Sequence, residues 1–301
     1  MRTRDLILSV MAILFCLFAG AWGFLSGGSA KSSDVHEWRL GTSIGRIDRV
    51  TEERLAEVKA AGFDCVEVNP GELQGEELAA SCRQLRQWAD TTGLEIWSVH
   101  IPYGLAFDIS APGEPERAEV VERVRAMIHS CAPLGAKKFV IHASFEPVKI
   151  EERVAKLAAS RKSLPELQQT AVAQGAQMVV EGLPRTCLGN TSHEMLSILA
   201  DAPGVGICCD TNHLLQETTQ DFIRAVGPLV RTVHIADYDG EDERHWLPGK
   251  GVIDWSAVVG ALVEAGYPGP FMFECRGTLE EKAATWQRLR QEYLALAASG
   301  S

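Results

Sequence analysis

Five times along this chain an amphipathic helical run closes on a glycine and an apolar run follows at once: KAAGFDCVEV, TTGLEIWSV, PLGAKKFVI, AQGAQMVVE and EAGYPGPFMF. Glycine just past the last helical turn supplies the left-handed residue on which helices end. A short apolar run directly behind it predicts a strand buried on both faces. Strands are expected to begin near Arg39, Phe63, Leu94, Ala136, Ala176, Val205, Val230 and Pro270. Helical patterns lie between them, at about 51–61, 75–91, 115–132, 151–174, 192–201, 218–226, 254–265 and 279–297. Thr191 with Glu194, and Thr278 with Glu281, have capping-box spacing. Strand–helix alternation means a parallel sheet, and eight units in about 265 residues fit a single-domain (β/α)8 TIM barrel. The rival is a doubly wound open sheet, but GTSIGR after the first strand does not match a dinucleotide fingerprint.

The barrel is expected over residues 38–301, behind a targeting segment and a linker. Arg2 and Arg4 precede an uncharged apolar run from Leu6 to Leu25, and SGGSA follows. This reads as a signal peptide over residues 1–30, cleaved after Ala30, or as an uncleaved signal anchor of nearly bilayer-spanning length. Residues 31–37, KSSDVHE, form the linker. Both readings export the barrel, to the periplasm or medium or tethered facing outward, and only an anchor makes the membrane a partner. A net charge of −11 opposes nucleic acid as a partner. The eight cysteines include no CxxC pair, which disfavours a metal finger or a disulfide framework. Cys65, Cys208 and Cys275 in strand-like runs read as buried thiols.

In such a barrel the chemistry sits at the C-terminal ends of the strands. Strand three ends in His100, strand four in His142, strand five in Glu181. Strand six ends in Asp210 with His213 just beyond, strand seven in His234 with Asp237 beyond, strand eight in Glu274. Taken singly, each has a structural explanation as a core histidine, a helix cap or half an ion pair. Six in consecutive strands point instead to a shared divalent cation, which offsets repulsion among the acids. Carboxylates and imidazoles suit Mn²⁺, Mg²⁺, Co²⁺ or Zn²⁺. Glu67 of CVEVNP is an acid of the same kind, expected as a wall of the site or as structure. After strand seven, Pro248, Gly249 and Gly251 predict a tight turn that returns Arg244 or His245 over the mouth. Trp246 reads as a sugar platform or a loop anchor, and Lys250 as solvent-facing. Arg276 with the Gly249–Gly251 turn offers only a weak phosphate cradle.

At VVEGLP, CCDTNH, VHIAD, LPGKG and FMFEC the sequence resembles the xylose isomerase-like superfamily of metal-dependent barrels, over about residues 38–298. That superfamily includes sugar isomerases and epimerases, hydroxypyruvate isomerase, inosose dehydratase and endonuclease IV. The resemblance implies one divalent cation, Mn²⁺ foremost, held by Glu181, Asp210, His234 and Glu274. It casts Glu181 and Glu274 as the proton-transfer pair and His213 as a substrate contact. His245 would bind substrate or a further metal, a role that passes to Arg244 if the alignment shifts by one. His100 and His142 would face substrate; in the endonuclease IV branch they would be ligands of a three-zinc site, with Glu243 standing where an aspartate is expected. The implied activity is isomerisation or epimerisation of a sugar, keto-sugar or cyclitol, with a small-molecule carbohydrate as partner. Alternatives are β-elimination from a keto-sugar or keto-glycoside, an endonuclease IV-like phosphodiesterase, and a non-catalytic carbohydrate-binding barrel.

Overall fold

The computed structural model describes residues 38–299; the expected signal segment and linker lie outside the described residues. Eight parallel strands follow one another: β1 Leu40–Arg46, β2 Cys65–Asn69, β3 Glu95–His100, β4 Lys138–His142, β5 Gln177–Glu181, β6 Gly206–Asp210, β7 Val230–His234 and β8 Phe271–Phe273. Each begins within two residues of its expected position. The helices are α1 Glu52–Ala60, α2 Gly75–Thr92, α3 Glu114–Cys131, α4 Arg153–Ala173, α5 Ser192–Leu199, α6 Thr219–Val226, α7 Trp255–Glu264 and α8 Leu279–Ser299. Strand order runs from β7 back to β1 and then to β8. The Ile235 N–H donates to the Met272 carbonyl (2.8 Å) and the Glu274 N–H to the Ile235 carbonyl (3.2 Å), closing β7 onto β8. The fold is therefore a closed (β/α)8 barrel rather than an open sheet.

The punctuation works as the sequence suggests. Gly93, at φ 71°, ends α2 by donating its N–H to the carbonyls of the last turn. Thr278 and Glu281 exchange both capping bonds, at 3.2 and 2.8 Å. Thr191 caps α5 from the Glu194 N–H, but the Glu194 carboxylate departs from the box and accepts from the Gly189 N–H (2.7 Å) and Arg153. That acid joins the loop after β5 to α4.

Strand pleating sorts the side chains. On β4 and β5, Phe139, Ile141, Met178 and Val180 face the helices within the main core, each contributing roughly 1.5–3 kcal/mol by burial. Val140, Val179 and Cys208 form a separate cluster inside the barrel. Toward the start of the strands, Trp97 crosses the interior: its indole N–H donates to Thr232 Oγ1 (3.1 Å), and Arg39 and Lys138 lie over its ring at 5.0 and 5.3 Å. Inward-facing strand-end residues thus rest on a dry apolar layer, where charges interact strongly. The seven described cysteines are free, and all but Cys275 are buried.

Candidate metal centre

Register brings the strand-end residues level. His142 pairs with Glu181 across β4 and β5, and Asp210 with His234 across β6 and β7. His234 Nδ1 is the centre of the inner group, 2.7 Å from Glu274 Oε2, 3.1 Å from Glu181 Oε1 and 3.8 Å from Asp210 Oδ2. One donor atom from each of Glu181, Asp210, His234 and Glu274 lies within 4.8 Å of all the others. Opposed ligands on a small divalent cation stand about 4.2 Å apart, so the cluster is of ion-binding size. Asp210 carries the sharper sign. It is fully buried, its Oδ1 accepts the Asn212 N–H (2.7 Å), and its Oδ2 has no donor among the described residues. An orphaned buried carboxylate oxygen aimed into a ring of oxygen and nitrogen donors fits a divalent cation.

Glu67 stands behind this group. It is fully buried on β2, accepts the Ser98 hydroxyl (2.6 Å) and lies 3.0 Å from His234 Nε2. It fixes the ring so that Nδ1 faces the acids, as outer carboxylates do for metal-ligating histidines.

Two further groups flank the inner one. Glu181 Oε2 meets His100 Nε2 and His142 Nε2, each at 2.9 Å, so Glu181 is shared between two groups. On the other side, His213 Nε2 lies 2.9 Å from Glu243, and His245 Nε2 lies 3.9 Å from the same carboxylate. The Nδ1–H groups of His100, His213 and His245 donate to the carbonyls of Ile101 (2.8 Å), Gly182 (3.0 Å) and Glu274 (3.1 Å). Each therefore presents Nε2 to the mouth.

The electrostatics follow from these contacts. Both ring nitrogens of His100, His213 and His234 face oxygen acceptors, an arrangement that favours the protonated ring. Burial opposes that charge, but Glu181 lifts His100 to about 9, Asp210 and Glu243 lift His213 to about 10, and the surrounding acids hold His234 well above its ordinary value. His142 is lowered, by burial above all. Burial pushes against ionisation of Glu181 and Glu274 too, yet the imidazoles win, holding Glu181 well below the carboxylate range and Glu274 at about 2. Asp210 goes the other way, raised by burial to about 7. Asp210 Oδ2 feels His213 Nδ1 at 3.4 Å and His234 Nδ1 at 3.8 Å without a hydrogen bond from either, and a divalent cation would give it the direct partner that the imidazoles do not.

The sequence CDTNH builds this corner residue by residue. Asp210 is a ligand candidate. The Thr211 hydroxyl donates to the Ala236 carbonyl (2.6 Å), tying β6 to the end of β7. Asn212 Oδ1 accepts the N–H groups of Arg244 and His245 (2.8 and 3.0 Å), which holds His245 at φ 51°. Arg244 itself turns away to Asp239 and does not join the mouth. Asp237 is not a ligand either. It is fully buried and accepts from Gly249 N–H (2.8 Å), Tyr238 N–H (2.9 Å) and the Trp255 indole (3.0 Å), anchoring the loop after β7. A Cβ on Gly251 would stand 2.0 Å from the Tyr238 carbonyl, so only glycine fits there. The Gly249 N–H is spent on Asp237, so the weak phosphate cradle expected of Arg276 with that turn lacks this donor.

Above the clustered acids and imidazoles opens a cavity of about 360 Å³. Tyr103, Phe145, Leu183 and Pro184 give it apolar wall, and Glu146 and Arg185 charged wall. Tyr103 is 67% exposed and stacks on His142 at 5.5 Å. Arg185, at φ 50°, pairs with Glu146, Asp242 (2.7 Å) and Glu243 (2.9 Å), latching three loops together. Leu183 and Pro184 fall within the motif VVEGLP, but none of these wall residues has a role legible in the sequence, because loops carry no period that reveals direction.

Fold and site define a (β/α)8 barrel whose C-terminal mouth is ringed by clustered carboxylates and imidazoles. Residues 55–294 match the model of the xylose isomerase-like TIM barrel family, and the chain belongs to it. The L-ribulose 3-epimerase of Mesorhizobium japonicum is 28% identical over 279 residues, covering 86% of this chain and 88% of that protein. The inosose isomerase of Bacillus subtilis is 27% identical over 165 residues, 50% of this chain and 57% of that one. A solved D-tagatose 3-epimerase-like protein superposes with a TM-score of 0.71 at 22% identity, over 86% of this chain and 98% of that chain.

Proposed function

We propose that this chain is a metal-dependent isomerase or epimerase of a sugar, keto-sugar or cyclitol. The observation that carries the reading is the convergence of Glu181, Asp210 and Glu274 on His234 Nδ1 beneath an open mouth. Relatives named as a ribulose epimerase and an inosose isomerase support it. Moving a proton beside a carbonyl leaves negative charge on oxygen. A divalent cation held by Glu181, Asp210, His234 and Glu274 supplies Lewis-acid stabilisation of that charge. The chain supplies the proton transfer. Glu181 and Glu274 are both held ionised, the state a base needs, and they come from non-adjacent strands. The Glu274 side chain is 30% exposed and the Glu181 side chain 1%, so Glu274 is the more open to substrate. His245 presents Nε2 to substrate hydroxyls beside the His213–Glu243 pair, and the apolar wall covers carbon–hydrogen faces.

The test is exchange with solvent. Substrate turned over in D₂O should gain deuterium beside the carbonyl, only with metal present. Glu181→Gln and Glu274→Gln should each lower turnover by on the order of 10²–10⁴-fold. Undiminished turnover in both variants, with no deuterium gained, rules the reading out.

The two flanking groups favour a second reading, a hydrolytic site with more than one ion. His100, His213 and His245 are anchored on carbonyls in the manner of metal ligands. Two or three ions per chain together with cleavage of an abasic-site duplex would support it over isomerisation.

A further inference from the structure

Trp246, Leu247 and Lys250 after β7, with Arg276 and Gly277 after β8, line a second groove of about 560 Å³. It adjoins the mouth, since the Arg276 N–H donates to the carbonyl of His245 (2.8 Å), itself a mouth residue. Lys250 and Arg276 are exposed, and among the described residues neither has a carboxylate within ion-pair distance. Neighbouring arginines are paired: Arg185 with Glu146, Asp242 and Glu243, Arg244 with Asp239, Arg288 with Glu292. Glu281, beside Gly277, is turned onto the Thr278 N–H (2.8 Å). The Trp246 indole N–H has no acceptor among the described residues either, while its backbone exchanges both bonds with Asp237 (2.8 and 2.9 Å). The groove thus offers two unpaired cations, one neutral donor and an aromatic face on a pinned backbone. In a chain of net charge −11, that is a local reversal of sign next to a cluster of acids.

We propose that this groove binds an anionic substituent, a carboxylate, sulfate or phosphate, carried by the carbohydrate whose reacting carbons lie in the mouth. The proposal rests on the sugar reading above. Arg276 and Lys250 hold the oxyanion through charge-assisted bonds. The Trp246 ring packs on the adjoining sugar while its N–H meets an oxygen. A neutral monosaccharide could accept hydrogen bonds from the cations but would leave both charges uncompensated.

Calorimetric binding of glucose, glucuronate, glucose 6-sulfate and glucose 6-phosphate to the protein as purified tests this. At low ionic strength at least one anionic sugar should bind about tenfold more tightly than glucose, and added salt should narrow the gap. The Lys250→Gln/Arg276→Gln double variant should lose that preference. Which anion binds best identifies the substituent. Equal affinity for neutral and anionic sugars, or a preference that survives in the double variant, overturns the proposal. Because binding is read rather than turnover, absent isomerisation with the preference intact counts against the reaction alone. Turnover of neutral sugars without the preference counts against the groove alone.

Discussion

His234 is held from both sides: Glu67 takes Nε2 and the acids of the mouth gather at Nδ1. A ring so fixed is pre-aimed for the metal role proposed for it, and Glu67 would then be a positioning residue that touches no substrate. Glu67→Ala should weaken divalent-cation affinity by about 10–100-fold, with Glu67→Gln in between, measured by competition with a chelator. Unchanged affinity in the alanine variant contradicts the role. The sequence left Glu67 open between site wall and structure for a physical reason. Glu181 and Asp210 end their strands and Glu274 follows β8 directly, each after an apolar run, whereas Glu67 has Val68 and Asn69 behind it in β2. The strand-end residues were legible because a parallel barrel points them inward at one level. Tyr103, Phe145 and Arg185 were not, since the long contacts that aim a loop residue leave no local pattern.

Helices and strands were legible nearly to the residue, because glycine stops and capping pairs mark their ends. What periodicity hides is the fate of a polar residue on an otherwise buried face. Lys282, in the first turns of α8, is 7% exposed, and its Nζ donates to Thr42 Oγ1 (3.2 Å) on β1. Burial lowers its pKa. A lysine whose folded pKa is depressed binds fewer protons folded than unfolded, so its stability penalty is greatest at low pH. The penalty fades as pH rises through the folded pKa toward the unfolded value of about 10.4. Lys282→Met should therefore stabilise the protein by about 1–2 kcal/mol at neutral pH. The gain should shrink as pH approaches 10. Thermal unfolding across pH reads this directly, and a lower Tm for the variant at pH 7 contradicts it.

At the scale of the molecule, four consecutive strands, β5 to β8, each deliver one residue to the inner group, and β3 and β4 deliver the histidines that share Glu181. The barrel makes this cheap in conformational entropy, because strand ends are already fixed by the ladder. It also makes the acids unstable company, since they share a buried layer and Asp210 Oδ2 has no donor. A divalent cation among them would resolve that conflict. Elemental analysis of protein purified without chelator measures it most directly. The expected result is about one divalent ion per chain in the wild type, and loss of most of it in Asp210→Asn with the fold retained by circular dichroism. A wild-type protein without metal, or an Asp210→Asn variant that keeps its full complement, would contradict the account.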